Sequence, residues 1–385
     1  MSDLTAYIAA SVFDGARMHD RAALLVCGAR AEGVVAQADI PADTAITDLG
    51  EGLLSPGYVD LQVNGGGGVM FNDDPSVATL ATMAQAHAGI GATSILPTLI
   101  TDTPDQSRAA IDAVDFAIAA GTPGIIGLHL EGPHLSQARK GAHDPALIRP
   151  MGDADVQMLL DAARRLPILM MTLAPESVTT DQIRALTNAG VILSLGHSDA
   201  SFAACLAAAK AGVTCVTHLF NAMSQLTNRE PGLVGAALAL GGLSAGMIAD
   251  TIHVHPQTMA TALRAKQGPG RIYLVSDAMA TAGSDIEGFT LNDRWIAREG
   301  DRLTLADGTL AGAHLELTNA LRNIVDATGT PLDQALEMAT SVPAGVIGKP
   351  ETLGCLHPGA QADFVHLSAE MTLTRVWQGG AEQTG

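Results

Sequence analysis

The sequence predicts a (β/α)8 barrel of the TIM type joined to a small β-sandwich domain. Three observations support this fold class. Eight apolar, strand-like runs recur between residues 57 and 279, and alanine-rich stretches with helical spacing separate most of them. Short β-type segments, punctuated by glycine and aspartate, lie at both chain ends. The 385 residues are long enough for both units.

The eight runs are interpreted as strands buried on both faces, because their hydrophobicity is nearly continuous. They span residues 57–65, 92–98, 124–132, 167–176, 191–199, 214–223, 243–254 and 271–279. Intervening segments such as "DPSVATLATMAQAHAGIG" and "DASFAACLAAAKAG" have the spacing of amphipathic helices that end at glycine. Two further helices are expected around residues 313–328 and 331–341.

The two chain ends are predicted to form the small domain together. The N-terminus contains short β-type pieces such as "TAYIAASVFDG", and the C-terminal "GCLHPGAQADFVHLSAEMTLTRVWQGG" is β-like again. We therefore expect residues 1–54 and 350–385 to form the β-sandwich. Residues 55–349 would form the metal-dependent catalytic barrel.

Composition excludes several classes of partner. The balance of 40 acidic to 21 basic residues gives a net charge of −19, which argues against nucleic acid and anionic membranes. An anionic substrate would need a local basic pocket. The uncharged stretch 232–249 contains five glycines, so we expect a short helix and a strand in place of a membrane span. The cysteines lack CxxC spacing and indicate free thiols in a reducing cytoplasm: Cys27, Cys205, Cys215 and Cys355.

Polar residues lie where the predicted barrel strands end, which is where such barrels carry their chemistry. In chain order these residues are Gln62, Asn64, Thr98, His129, Glu131, Glu176, His197, His218, Asn221, Asp250, His253 and Asp277. A buried carboxylate such as Glu131 is tolerated if a cation neutralises it. Together with His197 and His218 it would form a three-ligand metal site with an open position for water.

The chemistry of such a site assigns roles to its neighbours. A divalent cation lowers the pKa of bound water and supplies hydroxide near neutral pH. Asp277 would take a proton from that water and deliver it to the leaving group. His253 and the amide of Asn221 would donate hydrogen bonds to the developing oxyanion.

Structural roles remain open for each residue taken singly. An isolated histidine is more often a hydrogen-bonded structural residue than a ligand, and an aspartate after a strand is often a helix N-cap. Glu131 alone would fit an ion pair with Lys140 or Arg139. The joint pattern at five strand ends favours the metal site. His129 is expected to support it from a deeper layer. His143, in the loop "KGAHDP", is placed to touch substrate.

Longer stretches resemble the N-acetylglucosamine-6-phosphate deacetylases of the amidohydrolase superfamily. In family order, from about residue 55 to residue 366, they are "PGYVDLQVNGGGGVMFND", "GLHLEGPHLSQARKGAHDP", "LGHSDA", "THLFNAMSQLTNREPGLVG", "IADTIHVHP", "LVSDAMATAG" and "GAQADFVHL". The resemblance implies that Glu131, His197 and His218 bind the metal ion and that Asp277 is the acid/base. It implies a homodimer in which Arg229 reaches the sugar phosphate across the interface. It also implies substrate contacts from Ala142, His143, Asn221, Ala222, Arg229, His253, Leu310, Ala311 and Gly312.

One departure from the wider superfamily concerns the end of the first strand. Many amidohydrolases carry His-x-His there for a second metal, whereas this sequence has Gln62 and Asn64. Side-chain amides are poor ligands for zinc-type ions. We therefore expect one divalent ion per subunit, Zn²⁺ with Fe²⁺ as the alternative, and place both amides beside the metal site.

The expected reaction is removal of the acetyl group from N-acetyl-D-glucosamine 6-phosphate, giving D-glucosamine 6-phosphate and acetate, in amino-sugar catabolism or recycling. Two alternatives stay open. In the first, the substrate is a different amino-sugar phosphate, namely the galacto or manno epimer. In the second, the barrel is a catalytically silent sensor that binds sugar phosphates. A sensor would be expected to lack a ligand or the acid/base, and all four residues are present.

Overall fold

The computed structural model describes residues 4–292 and 294–383. Short strands make up the N-terminal part, with a 3₁₀ turn at Gln37–Asp39. The strands are β1 (Leu4–Ile8), β2 (Ser11–Phe13), β3 (Met18–Asp20), β4 (Ala22–Cys27), β5 (Arg30–Ala36), β6 (Ala45–Asp48), β7 (Leu53–Pro56), β8 (Tyr58–Val63), β9 (Gly65–Gly66) and β10 (Val69–Met70).

Helices and strands then alternate through the barrel. They are α1 (Val77–Gly89), β11 (Ala92–Ile100), α2 (Pro104–Ala119), β12 (Leu128–Glu131), α3 (Asp153–Arg165), β13 (Leu169–Leu173), α4 (Thr180–Asn188), β14 (Ile192–Leu195), α5 (Phe202–Ala211), β15 (Cys215–Val216), α6 (Gly232–Ala239), β16 (Ser244–Met247), α7 (Pro256–Ala265) and β17 (Ile272–Leu274). Short 3₁₀ turns lie at Gln137–Arg139 and Pro175–Ser177.

The barrel consists of β8 and β11 to β17, which form one eight-stranded sheet in chain order. All neighbouring pairs are parallel. A parallel bridge between Val63 and Ala278 connects the ends of the first and last strands. Each predicted run coincides with one of these strands, so the barrel prediction is confirmed.

Local sequence explains where the helices begin and end. Ser76 and Ser201 cap α1 and α5 by accepting hydrogen bonds from backbone N–H groups three residues on. Gly212 ends α5 with a φ of 121°, a conformation that glycine adopts without strain. The uncharged stretch 232–249 contains α6 and β16, as predicted. Among the described residues, no helix is long and apolar enough to cross a membrane.

The segment after the barrel strands differs from the prediction. It contains β18 (Gly288–Leu291), β19 (Arg294–Glu299), β20 (Arg302–Thr304), α8 (Leu317–Thr328), α9 (Leu332–Ala339), α10 (Ser341–Val346), β21 (Phe364–Leu367), β22 (Leu373–Gln378) and β23 (Ala381–Gln383). The two predicted helices correspond to α8 and α9. The antiparallel sheet β18–β19–β20 was not predicted, and its apolar face packs against the barrel end through Phe289, Leu291 and Ile296.

The chain ends build mixed sheets outside the barrel, as the fold-class prediction requires. One sheet has the strand order β5–β4–β1–β6, and the other has the order β23–β22–β21–β7–β2–β3. N-terminal Leu24 and Leu54 share a core with C-terminal Phe364 and Trp377, whose rings stack with centroids 4.5 Å apart. The domain boundaries at residues 54 and 350 stay a prediction, and residues 1–3 and 384–385 lie outside the described part.

Asp363 in this small unit predicts a pH-dependent stability. Burial raises the pKa of Asp363 to about 6, although the Gly379 N–H donates to its Oδ1 at 2.6 Å. A carboxyl pKa that is higher in the folded state favours folding at low pH, and this stability is lost as pH rises through about 6. The amide side chain of an Asp363→Asn variant keeps the acceptor oxygen without the charge. At pH 8 we expect the free energy of unfolding of this variant to be about 1–3 kcal/mol higher than that of the wild type.

Urea unfolding followed by circular dichroism at pH 8 and pH 4 tests this expectation. Most of the increase in unfolding free energy should vanish at pH 4, where wild-type Asp363 is protonated in the folded protein. An equal gain at both pH values would assign the effect to packing instead of ionisation.

Candidate active site

A cavity of about 380 Å³ opens at the carboxyl end of the barrel strands. It brings together residues that are distant in sequence, because parallel strands all end on the same face of the barrel. The lining consists of Asn64, Ile100, Glu131, Ala138, Arg139, Gly141, Ala142, His143, His197, His218, Asn221, Ala222, Ile248, His253, Asp277, Met279, Leu291, Thr309, Leu310 and Gly312.

Glu131, His197 and His218 converge on one point at the floor of this cavity. Oε1 of Glu131 lies 3.2 Å from Nε2 of His197 and 3.0 Å from Nε2 of His218, and the two Nε2 atoms are 3.0 Å apart. All three side chains are buried. The three residues come from the ends of β12, β14 and β15, so the predicted ligands meet in space.

The hydrogen bonds of the two imidazoles suit metal ligation. Nδ1 of His197 lies 2.8 Å from the carbonyl oxygen of Arg139, which can only accept, so this nitrogen carries the proton and Nε2 keeps its lone pair. Nδ1 of His218 is buried and has no hydrogen-bond partner among the residues that the structure describes. The cluster thus offers one carboxylate and two Nε2 atoms, which is the donor set of a zinc-type site.

Electrostatics favour the charged form of the carboxylate. Burial raises the pKa of Glu131, but the contacts of its carboxylate with the imidazoles of His197 and His218 outweigh burial and hold this pKa well below the usual range. A metal ligand must be deprotonated, so the state that the neighbours stabilise is the one that binds cations.

His143 also lies close enough to be a ligand, because Glu131, His143 and His197 each offer a donor atom within 4.8 Å of the others. Its own hydrogen bonds argue against ligation. The N–H of Thr101 donates to Nδ1 of His143, so Nε2 carries the proton. Burial and nearby His197 hold the pKa of His143 well below its usual range, and the ring is neutral. His143 therefore presents an N–H donor to the cavity.

Asp277 faces the cluster from the end of the last barrel strand. Its Oδ1 accepts hydrogen bonds from Gln62 Nε2 at 3.1 Å and from Asn64 Nδ2 at 2.7 Å. The same Gln62 nitrogen also donates to Oε2 of Glu131 at 3.2 Å. Burial and the charge of Glu131 raise the pKa of Asp277 to about 6. The two amides that replace His-x-His thus act as donors that bridge and orient the carboxylates.

His253 is held by a second carboxylate. Its Nδ1 lies 2.6 Å from Oδ2 of Asp250, whose Oδ1 also accepts the backbone N–H of His253. Burial raises the pKa of Asp250, but the hydrogen bond from His253 outweighs this and lowers it. An ionised Asp250 can only accept, so it fixes a proton on Nδ1 of His253 and orients the ring, which lines the cavity.

Backbone strain coincides with these residues. Several predicted functional residues other than glycine have positive φ angles, among them His197 at 46°, His218 at 28° and Asp277 at 50°. Ala222, at the rim, has a φ of 49°. Residues with a Cβ rarely adopt this conformation, and strained backbone clusters at functional sites.

His129 is not positioned as a ligand. Its Nδ1 bonds to the carbonyl oxygen of Leu61 at 2.9 Å, and its Nε2 lies 2.8 Å from Oγ1 of Thr172. Both nitrogens are engaged inside the barrel below Glu131. This placement agrees with the deeper, supporting position expected from the sequence.

The remaining predicted substrate contacts divide into two groups. Ala142, Asn221, Ala222, Leu310 and Gly312 line the cavity. Ala311 is buried behind the lining, in the apolar cluster under the three-stranded sheet. Arg229 is exposed and does not line the cavity of its own chain.

Sequence reasoning missed parts of the rim. Leu291 and Thr309 enter the lining from the unpredicted sheet β18–β19–β20 and the turn after it. The pattern "GFTLNDRWIAREGDRLTLADGTLAG" alternates apolar and polar residues around turn-type pairs, and this signal was available. The ion pair considered for Glu131 is wrong for Arg139, since its guanidinium binds Asp199. In the described structure Lys140 is exposed and forms no ion pair with the buried Glu131.

A parallel barrel with a carboxylate and two imidazoles at its mouth is the arrangement of metal-dependent hydrolases. The chain belongs to the amidohydrolase family, whose model matches residues 53–382. An N-acetylgalactosamine-6-phosphate deacetylase from Shewanella sp. (strain ANA-3) is 43% identical over 98% of this chain and 92% of its own length.

Solved structures give the same result. N-acetylglucosamine-6-phosphate deacetylase from Pasteurella multocida has a TM-score of 0.94 and 31% identity, covering 99% of this chain and 100% of its own. A mutant of the Mycobacterium smegmatis enzyme, in complex with N-acetyl-D-glucosamine-6-phosphate, has a TM-score of 0.92 and 31% identity, with 100% of each chain covered.

Proposed function

We propose that this protein hydrolyses the acetamide of an N-acetylhexosamine 6-phosphate, with N-acetyl-D-glucosamine 6-phosphate giving D-glucosamine 6-phosphate and acetate. The observation that carries the proposal is the convergence of Glu131, His197 and His218 opposite Asp277 in one cavity. The names of the relatives support the substrate class. We place the protein in the cytoplasm, because a reducing compartment suits its free, buried cysteines Cys205, Cys215 and Cys355.

Glu131, His197 and His218 would hold one divalent ion, Zn²⁺ or else Fe²⁺. When bound, such an ion polarises the amide carbonyl and makes a water molecule acidic enough to attack it. Gln62 and Asn64 use their N–H groups on the carboxylates, and their amide oxygens are poor ligands for these metals. This arrangement supports one ion per subunit.

Asp277 is assigned the proton transfer. Oδ1 of Asp277 accepts the hydrogen bonds from the side-chain amides of Gln62 and Asn64. Oδ2 is therefore the atom that takes a proton from the attacking water. The resulting hydroxyl adds to the amide carbon. The same proton then passes to the amine nitrogen as the C–N bond breaks, so the amine and acetic acid leave, and the acid ionises to acetate in solution. A pKa of about 6 suits a group that must accept and then return a proton near neutral pH.

Donors around the cavity would bind the remaining atoms. His253, held by Asp250, is assigned to steady the oxyanion. His143 offers Nε2–H to a sugar oxygen. Two further segments would enclose the sugar ring: the pair Asn221 and Ala222, and the turn from Leu310 to Gly312.

A second candidate is the galacto epimer as the preferred substrate. The favouring observation is the 43% identity with a relative named for N-acetylgalactosamine 6-phosphate, compared with 34% for the N-acetylglucosamine-6-phosphate deacetylase of Haemophilus influenzae. Measuring kcat/KM for acetate release from the gluco, galacto and manno 6-phosphates tests both candidate substrates. The largest value identifies the substrate, and the absence of release from all three would refute the proposed function.

We further propose a homodimer in which Arg229 completes the neighbouring site. Arg229 is exposed on the loop 225–230, and the same loop presents Leu226 with 58% of its surface exposed. A permanent cation away from its own cavity, beside an exposed apolar side chain, suits an interface.

Mixed dimers give a specific test. Asp277→Asn and Arg229→Ala subunits are each defective alone. In a mixed dimer, the Arg229→Ala subunit keeps Asp277 and receives Arg229 from its partner. We expect a random one-to-one mixture to regain about a quarter of wild-type activity, because half of the dimers then hold one intact site. Activity no higher than the sum of the separate variants would contradict the shared site.

A further inference from the structure

A row of hydrogen-bonded side chains crosses the barrel interior beneath the proposed metal ligands. Nε2 of His129 lies 2.8 Å from Oγ1 of Thr172, which lies 2.6 Å from Oγ1 of Thr217. Oγ1 of Thr217 in turn lies 2.6 Å from Oγ of Ser194. At the other end of the row, Nδ1 of His129 bonds to the carbonyl oxygen of Leu61 at 2.9 Å. The four side chains are buried, so water does not replace a contact that is lost.

The row connects the strands of two proposed ligands through a strand that carries none. His129 lies on β12 two residues before Glu131, and Thr217 directly precedes His218 at the end of β15. Thr172 lies on β13, which supplies no residue to the cluster at the cavity floor. The hydroxyl of Thr172 is therefore the link between the carboxylate strand and one of the two imidazole strands.

The methyl group of Thr172 contacts the strand of the other imidazole. A Cβ atom added at Gly196 would lie 2.7 Å from Cγ2 of Thr172 and 2.9 Å from Cβ of Thr217. Such distances are too short for carbon atoms, so only glycine lets the backbone approach the two threonines this closely. Gly196 immediately precedes His197, and this contact thus places the backbone that carries the second imidazole.

The carbonyl group at one end fixes the direction of the hydrogen bonds. The carbonyl oxygen of Leu61 can only accept, so Nδ1 of His129 carries a proton. Burial lowers the pKa of His129, and Nε2 of the neutral ring accepts from the Thr172 hydroxyl. Thr172 has then used its one proton and accepts from Thr217, which accepts from Ser194 for the same reason. Without the Thr172 hydroxyl, Nε2 of His129 would lose its donor.

We propose that Thr172 is a positioning residue that sets the spacing of Glu131, His197 and His218 around a divalent ion. Its hydroxyl connects two of the ligand strands, and its methyl group packs against the third. This inference rests on the proposed function, because it assigns Thr172 to the metal site of that function. Groups that hold metal ligands from behind contribute about ten- to hundredfold to metal affinity or activity.

The test compares Thr172→Val and Thr172→Ser with the wild type. Valine keeps the shape and the methyl contact without the hydroxyl, whereas serine keeps the hydroxyl. We expect Thr172→Val to weaken Zn²⁺ binding by about tenfold and to lower kcat by about tenfold, with KM changed less than about twofold. Thr172→Ser should stay within about threefold of the wild type in Zn²⁺ affinity and kcat, because both hydrogen bonds remain.

Two measurements report on the metal site without turnover. Competition with a chromogenic chelator gives the Zn²⁺ affinity. The visible absorption spectrum of the Co²⁺-loaded protein reports the arrangement of the ligands, and it should change in Thr172→Val but not in Thr172→Ser. If Thr172→Val does not fold, Thr217→Val breaks the link between the same strands and is subject to the same expectations.

Thr340→Val is the matched control, since it also removes the hydroxyl of a fully buried threonine. Oγ1 of Thr340 donates to the carbonyl oxygen of Leu336 at 2.7 Å, and the residue lies between α9 and α10, outside the cavity lining. This variant should lose thermal stability but keep its Zn²⁺ affinity and Co²⁺ spectrum. Equal effects of both valine variants on the metal site, or an unchanged Zn²⁺ affinity and kcat in Thr172→Val, would overturn the inference.

Metal binding and turnover together separate this inference from the proposed function. If the wild type binds Zn²⁺ but releases no acetate from any of the three hexosamine 6-phosphates, the proposed function fails, and the Zn²⁺ affinity of Thr172→Val still decides this inference. If the wild type is active and Thr172→Val equals it in affinity and kcat, only this inference fails. A wild type that takes up neither Zn²⁺ nor Fe²⁺ would overturn both.

Discussion

Replacement of Asp277 by asparagine is expected to lower kcat by about a thousandfold, because general acid–base catalysis contributes about 10²–10⁴. Asparagine has the same shape, and its oxygen can still accept from Gln62 and Asn64. The fold and the metal site should therefore persist. What disappears is the group that removes the water proton and returns it to the amine nitrogen.

Three measurements on the purified variant separate these effects. Acetate release gives kcat, elemental analysis gives the metal content, and thermal unfolding reports the fold. Asp105→Asn is a suitable control, since this carboxylate is exposed in the first turn of α2 and does not line the cavity. It should keep wild-type kcat within about twofold. An Asp277→Asn enzyme with near-normal turnover would show that another group transfers the proton.

The barrel and the cluster were predictable from the sequence for one physical reason. Strands buried on both faces must be apolar throughout, so a polar side chain at the end of a run is conspicuous. Glu131 and His197 each follow such a run, and the parallel topology brings the two strand ends together. Sequence distance is irrelevant once the strands close into a barrel.

Hydrogen-bond geometry could not be predicted, because it depends on the loops. His143 was expected to touch substrate, but the N–H of Thr101 is what fixes its proton on Nε2. Arg139 was considered as a partner of Glu131, yet the loop turns its side chain to Asp199 and its carbonyl to His197. These contacts join segments whose relative placement no periodicity specifies.

The two amides at the first strand end show the same limit. Their identity predicted that a second metal would be poorly held, but gave no indication of what they do instead. Gln62 donates to both Glu131 and Asp277, so one nitrogen links a proposed metal ligand to the proposed acid/base. In a two-metal site a second cation would offset the repulsion between the two carboxylates. Here the neutral side-chain N–H groups of Gln62 and Asn64 bind the carboxylates of Glu131 and Asp277 instead.

Replacement of Glu131 by glutamine is expected to abolish metal binding and, with it, activity. The carboxylate supplies the only negative charge among the three proposed ligands, and its two imidazole neighbours alone do not neutralise a buried divalent ion. An amide oxygen is a poor ligand for Zn²⁺ or Fe²⁺. We expect metal content to fall from about one equivalent per chain to below about a tenth, with kcat/KM lower by at least about a thousandfold.

Elemental analysis after extensive dialysis measures this loss directly, and Glu176→Gln provides the control. Glu176 also follows a barrel strand, but it accepts hydrogen bonds from Ser198 Oγ and the Asp199 N–H and does not line the cavity. It should retain its metal. One full equivalent in Glu131→Gln would remove this residue from the ligand set. Two equivalents in wild type would show that amides at positions 62 and 64 do not prevent a second ion. Either result would require a different account of how the barrel mouth balances its buried carboxylates.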